Sequence, residues 1–195
     1  CQVLGYKGYK DFRFDMLHYL HQEHVEVNSE NLFDELTSKY LSVIRQFNNI
    51  DQNKLNQLIK QIKNTKNIYI IGVHYSSLPA KHLVLGLQDL GINTYFAYDY
   101  MQASHLYNTI HEDDLLIYFS IEGNQNNVSR FFDLTNASKN TYIITLNPKP
   151  KLLIENTLIL PGYTLSKQSI VGLQSIVVIF VELLLNMFHN TLKED

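Results

Sequence analysis

The residues best equipped for chemistry fall in two short polar stretches, "GVHYSS" (72–77) and "SIEGNQNN" (120–127). Each follows a run of large apolar side chains, "IYIIG" (68–72) and "DLLIYFS" (114–120). Gly72 lets the backbone turn tightly off the first run. Ser76 and Ser77 then stand where a helix should begin. Free N–H groups and the helix dipole favour an anion there, and hydroxyls add adaptable donors. The second stretch repeats the design with Ser120, Gly123 and the amides Asn124, Gln125, Asn126 and Asn127. His74 and Glu122 bring acid–base capacity to the two stretches. The plainer reading is that Ser76 and Ser120 only cap helices.

Such loops need a rigid frame, and the periodicity supplies one. Leu32, Phe33, Leu36, Tyr40, Ile44 and Phe47 recur at helical spacing. Asp51 reads as the N-cap of a second amphipathic helix carrying Leu55, Leu58, Ile59 and Ile62. After Lys66-Asn67 the pattern changes to short continuous apolar runs, as expected of strands buried on both faces. Five are predicted: 68–72, "NTYFAY" (93–98), 114–120, "TYIITL" (141–146) and "NTLILP" (156–161). Helical stretches separate them, one opening near Pro79 and closed by Gly91, another over residues 126–138. The apolar stretch 169–188 is expected to form one long closing helix.

Strands alternating with helices predict an α/β fold. The expected form is a three-layer αβα sandwich around a five-stranded parallel sheet. In the flavodoxin-like order 2-1-3-4-5, strands 1 and 3 are neighbours where the strand order reverses. Ligands bind beyond the C-terminal strand ends at that point. The loops after these two strands are the two polar stretches, so the fold would bring them together.

Composition narrows the class. The chain has 195 residues, 45% of them hydrophobic, and a net charge of −3. A core is affordable, and the overall charge is wrong for a nucleic-acid-binding surface. Cys1 is the sole cysteine, which rules out an internal disulfide and a cysteine-based zinc site and fits the cytoplasm. There is no basic-then-apolar signal segment at the start. The first residue is Cys rather than Met, so further chain is expected upstream. The 169–188 stretch contains Gln174, Ser175 and Glu182 and lacks flanking anchors, which favours a packed helix over a membrane span.

The two polar stretches also resemble a known family. Strand-G-x-G-x-S-helix followed by strand-S-x-S-G-x-T-helix is the pattern of the SIS (sugar isomerase) domain, which binds phosphosugars. Gly72, Ser76, Ser120 and Gly123 match that pattern. His74 replaces the second glycine, Glu122 the second serine and Gln125 the threonine. In addition, "LGYKGYKDFRFDM" (4–16) is similar to the segment that ends the helix-turn-helix domain of RpiR-type transcription regulators. "SKQSIVGLQSIVVIFVELL" is similar to the last helix of that family. The resemblance implies residues 1–28 as the tail of a DNA-binding domain, 29–65 as a helical connector and 66–190 as the SIS domain.

It further implies a non-enzymatic sensor of a sugar phosphate or related sugar derivative. Such a sensor would act on operator DNA through the missing N-terminal domain, without cofactor or metal. The expected ligand-binding residues are Gly72, His74, Ser76, Ser77, Ser120, Glu122, Gly123 and Gln125. Two other readings stand beside it. One is an aldose–ketose isomerase using His74 and Glu122 as acid and base. The other is an assembly module with a degenerate ligand site. The apolar closing helix predicts a homodimer or homotetramer. His18, His21 and His24 recur every three residues, but without a carboxylate or cysteine partner they read as solvated. Lys149 and Lys151 flank prolines in a rigid turn after the fourth strand.

Glu122 poses the sharpest question. At ~5 Å and an effective dielectric of ~20, a pair of like unit charges costs about 3 kcal/mol. That is about a hundredfold in affinity. Either Glu122 points away from the cleft and phosphate binding survives, or the ligand group there is neutral or cationic or the site is vacant; the second outcome is the one expected.

Overall fold

The computed structural model describes residues 12–13, 31–123, 140–150 and 154–193. The chain divides into two compact units, Cys1–Leu41 and Ser42–Asp195. Helix α1 (Leu32–Arg45) opens the described part. In its first unit Glu35 and Lys39 pair one turn apart at 2.5 Å, while Leu32, Phe33, Leu36 and Leu41 are exposed. In the second unit Val43 and Phe47 are buried, and a 3-10 turn (Gln46–Asn49) ends the helical run. Helix α2 (Gln52–Asn64) follows, capped by Asp51 as its sequence predicts. The Asp51 carboxylate accepts from the N–H groups of Asn53 and Lys54 at 3.0 and 3.1 Å. Such a cap is worth about 1 kcal/mol. Leu55, Leu58, Ile59 and Ile62 form its buried face.

The sheet comprises β1 (Ile68–Gly72), β2 (Thr94–Ala97), β3 (Leu115–Phe119), β4 (Thr141–Thr145) and β5 (Thr157–Ile159). Its order is β2-β1-β3-β4-β5 and every pairing is parallel. This is the architecture read from the sequence. The three central strands are buried at every position, which is why their sequences run apolar without alternation. Between the strands lie α3 (Ser77–Asp89) and α4 (Tyr100–Tyr107). Gly91, at φ 78°, ends the α3 segment as expected.

Helices cover both faces. Tyr69, Ile71, Leu116, Tyr118 and Ile143 pack with Ala103 of α4 on one side. On the other, Gly72 faces Ala80 of α3, and α3 in turn packs on α6 (Gln174–Lys193). Burial pushes the Tyr118 phenol far above its usual range, with Tyr100 adding a smaller Coulombic push. It is a neutral core residue at physiological pH.

The closing helix differs from expectation. The stretch 169–188 is helical only from Gln174 onward, as part of α6, and a turn over 169–173 joins it to a short helix α5 (Tyr163–Gln168). Gly172 and Leu173 both adopt left-handed backbone in that turn, at φ 66° and 63°. Hydropathy registers both as apolar and cannot detect the break. α6 is long and apolar enough to cross a membrane by length and composition. In the folded chain it buries Ile176, Val177, Phe180, Val181, Leu184 and Phe188 and packs on α2 and α3. Phe180 meets Phe47 edge to face at 6.2 Å.

Candidate ligand site at the C-terminal edge of the sheet

Strands β1 and β3 are neighbours, with Gly72 opposite Phe119. The segments 72–77 and 120–123 therefore leave the sheet side by side, at the point where strand order reverses. Gln125 and the amides Asn124, Asn126 and Asn127 lie outside the described residues, as does the helix expected over 126–138.

The first loop is shaped by a close approach. A Cβ on Gly72 would lie 2.7 Å from the Ala80 Cβ and 2.8 Å from the Ser76 carbonyl carbon. Only glycine lets the start of α3 come down on the strand end. His74 then sits at φ 55°, a left-handed conformation that costs an L-residue about 1–2 kcal/mol. This is the position where the SIS pattern has glycine. A 3-10 turn over His74–Ser76 leads into α3. The Ser77 hydroxyl donates to the His74 carbonyl at 2.6 Å, so it is partly spent on its own turn. The Ser76 side chain makes no capping bond. The plainer reading of Ser76 as a side-chain cap is thus not realised, and its hydroxyl remains available. The His74 imidazole is exposed at the rim.

The second loop is held by its neighbours. Ser120 is buried, and its N–H donates to the Ile144 carbonyl at 3.0 Å. Gly123 turns at φ 56°, and a Cβ there would lie 2.6 Å from that of Pro150. The β4 loop thus packs directly on the β3 loop. Thr145 donates its hydroxyl to the Ile121 carbonyl at 3.1 Å. The Asn147 side-chain amide donates to the Glu122 carbonyl at 2.8 Å, and its side-chain oxygen accepts from the Lys149 N–H at 2.9 Å. The proline-flanked turn singled out in the sequence therefore supports this loop through Asn147 and Pro150.

The Glu122 carboxylate is not isolated. Both of its oxygens accept from the Lys167 ammonium, at 2.6 and 2.5 Å. Lys167 lies on α5, and its nitrogen also sits 4.8 Å above the centre of the Tyr163 ring. Burial pulls the Lys167 pKa down, but hydrogen bonds to Glu122 and Tyr163, with their Coulombic attraction, outweigh it and leave the pKa raised. The two side chains are roughly half exposed, at 41% and 46%. A surface pair of this kind is worth only about 0–1 kcal/mol. Sequence reasoning missed Lys167, Asn147 and Thr145. Lys167 and Glu122 are 45 residues apart, and no periodicity links them.

The loop edge therefore presents the Ser76 hydroxyl, the start of a 13-residue helix and one charge-compensated carboxylate, with Ser120 buried just beneath at the end of β3. That set suits hydrogen bonding to a polyhydroxylated, partly anionic molecule. Among the described residues no cluster of three His, Cys, Asp or Glu side chains could hold a metal. His18, His21 and His24 lie outside the described residues.

No protein-family model matches the chain, and no curated protein matches it either. Solved structures do. The NanR protein of Vibrio vulnificus, complexed with ManNAc-6P, matches with TM-score 0.66 and 19% identity over 100% of this chain and 73% of that one. The sugar isomerase domain of an RpiR transcription factor from Sphaerobacter thermophilus matches with TM-score 0.65 and 18% identity over 84% and 93%. A Methanococcus jannaschii protein, whose structure infers a 3-hexulose-6-phosphate isomerase function, matches with TM-score 0.59 and 23% identity over 83% and 90%. The fold is thus that of the sugar isomerase domain, as the sequence motifs implied. Regulators and isomerases both stand among the proteins that share it.

Proposed function

We propose that this chain is the effector-sensing part of a transcription regulator and binds a sugar phosphate or related sugar derivative. The observation that carries the reading is the convergence of two hydroxyl-bearing loops, 72–77 and 120–123, at the switch point of a sugar-isomerase-type sheet. NanR, of the same fold, is complexed with ManNAc-6P. Gly72 and Gly123 would permit close backbone approach, and Ser76, Ser77 and Ser120 would donate hydrogen bonds. His74 and Gln125 complete the proposed contact set, and Glu122 stands beside it. Residues 1–28 are the tail of a helix-turn-helix domain, 29–65 the connector and 66–190 the sensor. Operator DNA is contacted by the domain upstream, the protein works in the cytoplasm, and it assembles as a homodimer or homotetramer.

An isomerase would need a free acid–base pair. Here both oxygens of Glu122 are occupied by Lys167, and the imidazole of His74 stands exposed at the rim. Binding rather than turnover is supported by the match to the NanR regulator over the whole of this chain. A thermal-shift screen of the chain against hexose and hexosamine phosphates tests the reading, with turnover of the same compounds assayed in parallel. Stabilisation without turnover is expected. Aldose–ketose interconversion would replace the sensor reading with the enzymatic one, and no shift with any sugar derivative would favour an assembly module.

A further inference from the structure

The Glu122–Lys167 pair is built in a way that a purely structural ion pair does not require. The backbone of Glu122 is already fixed without its side chain. Its carbonyl accepts from Asn147, and the N–H of the next residue, Gly123, donates to the Ser120 carbonyl at 3.2 Å. The carboxylate is therefore free to leave without releasing the loop. Lys167 is held independently by the Tyr163 ring face, and a cation–π contact keeps an ammonium in place when its anion departs. Both charged groups are about half exposed, so a solute can reach them. Glu122 lies two residues beyond Ser120 in sequence, on the loop edge that the proposed ligand would occupy.

We infer that Lys167 is the specificity-determining residue for an anionic group on the ligand, and that Glu122 is its built-in competitor. The inference rests on the sugar-derivative reading above and names the charge that site selects. In the free protein the carboxylate fills the ammonium's coordination. A phosphate monoester carries nearly two charges and three strong acceptor oxygens at neutral pH, so it displaces a singly charged carboxylate from the same cation. Glu122 then turns to solvent. A neutral sugar hydroxyl cannot make that exchange, because it would trade a charge-assisted hydrogen bond for a weaker neutral one. The pair thus filters ligands by charge: phosphorylated forms open it and unphosphorylated forms do not. Glu122 is neither a positive contact nor a fixed obstruction.

The test is titration calorimetry with ManNAc-6P, its unphosphorylated counterpart and inorganic phosphate on the wild type and three variants. Lys167→Met is expected to weaken ManNAc-6P about tenfold or more, the scale of a lost charge-assisted hydrogen bond. Lys167→Arg, which keeps the charge, should retain most of the affinity and controls for folding. Glu122→Gln removes the competitor and should tighten ManNAc-6P up to about fivefold, the scale of an exposed ion pair. The unphosphorylated sugar should respond to none of the three. Wild-type binding of ManNAc-6P that Lys167→Met leaves within twofold would overturn the inference while the sensor reading stood. Equal gains for both sugars in Glu122→Gln would overturn it in the same way. If neither phosphate compound binds the wild type or Glu122→Gln, the inference fails together with the sugar-phosphate reading.

Discussion

The loops after β1 and β3 leave the same edge of the same sheet, yet they are held by opposite means. The β1 loop is clamped from below. Gly72 has no side chain, so the first turn of α3 sits directly on the strand end. The β3 loop is braced from the side. Its backbone is tied to Thr145 and Asn147, its glycine to Pro150 and its carboxylate to Lys167. A clamped loop fixes the position of a helix terminus and, in Ser76, leaves a hydroxyl without a capping bond. A braced loop carries contacts that can be exchanged one at a time. The difference places pre-organisation on one wall of the site and adjustability on the other.

Substitutions should separate these two modes. Gly72→Ala drives a methyl into the Ser76 backbone and the Ala80 side chain. Neither can yield cheaply, so the variant should lose about 3 kcal/mol in urea denaturation. A loss under 1 kcal/mol would mean that α3 is not clamped. Gly123→Ala adds left-handed strain and a contact with the Pro150 ring. About 2 kcal/mol is expected, since the β4 turn can shift more readily than a helix terminus.

His74→Gly should act in the other direction. Relief of the left-handed cost exceeds the extra entropy of unfolded glycine, so stability should rise by about 0.5 kcal/mol. A fall in stability would show that the imidazole makes a contact that the exposed rim conceals.

The smallest effect is expected at Lys167. Its folded pKa is raised, so its contribution is complete below the ordinary lysine value of 10.5 and is lost as pH rises through the raised one. Lys167→Met should cost less than 1 kcal/mol at pH 7, given the exposure of the pair. The gap to wild type should close above about pH 10.5. A gap that does not narrow as Lys167 loses its proton would place the stabilisation in the packing of the lysine stem on Tyr163 rather than in its charge.

The frame of this site was legible in the sequence because burial on both faces leaves a plain mark. β1, β3 and β4 appear as unbroken apolar runs, and the polar residues begin where the strands end. The meeting of the two loops followed from strand order alone. What escaped had no local mark. Leu173 and Gly172 break the closing helix by backbone conformation, to which hydropathy is blind. Lys167 meets Glu122 only because α5 follows β5 back to the same edge. The apolar positions Leu32, Phe33 and Leu36 recur at helical spacing, yet they are exposed. Periodicity identifies a helix's apolar side but not what covers it. The same holds for Glu122, whose partner Lys167 is invisible at 45 residues' distance.

Gly86 has a mechanical consequence. It sits within α3, and a Cβ there would collide with the Leu185 side chain of α6, lying 2.9 Å from its Cδ2. Nearby, His82 and Glu182 approach to 3.4 Å across the same helix pair. The leucine acts as a tooth seated in a notch, so α3 cannot slide along α6 without lifting out of register. A displacement of the ligand-facing end of α3 would therefore be felt first at Leu185 of α6, the side chain seated in that notch.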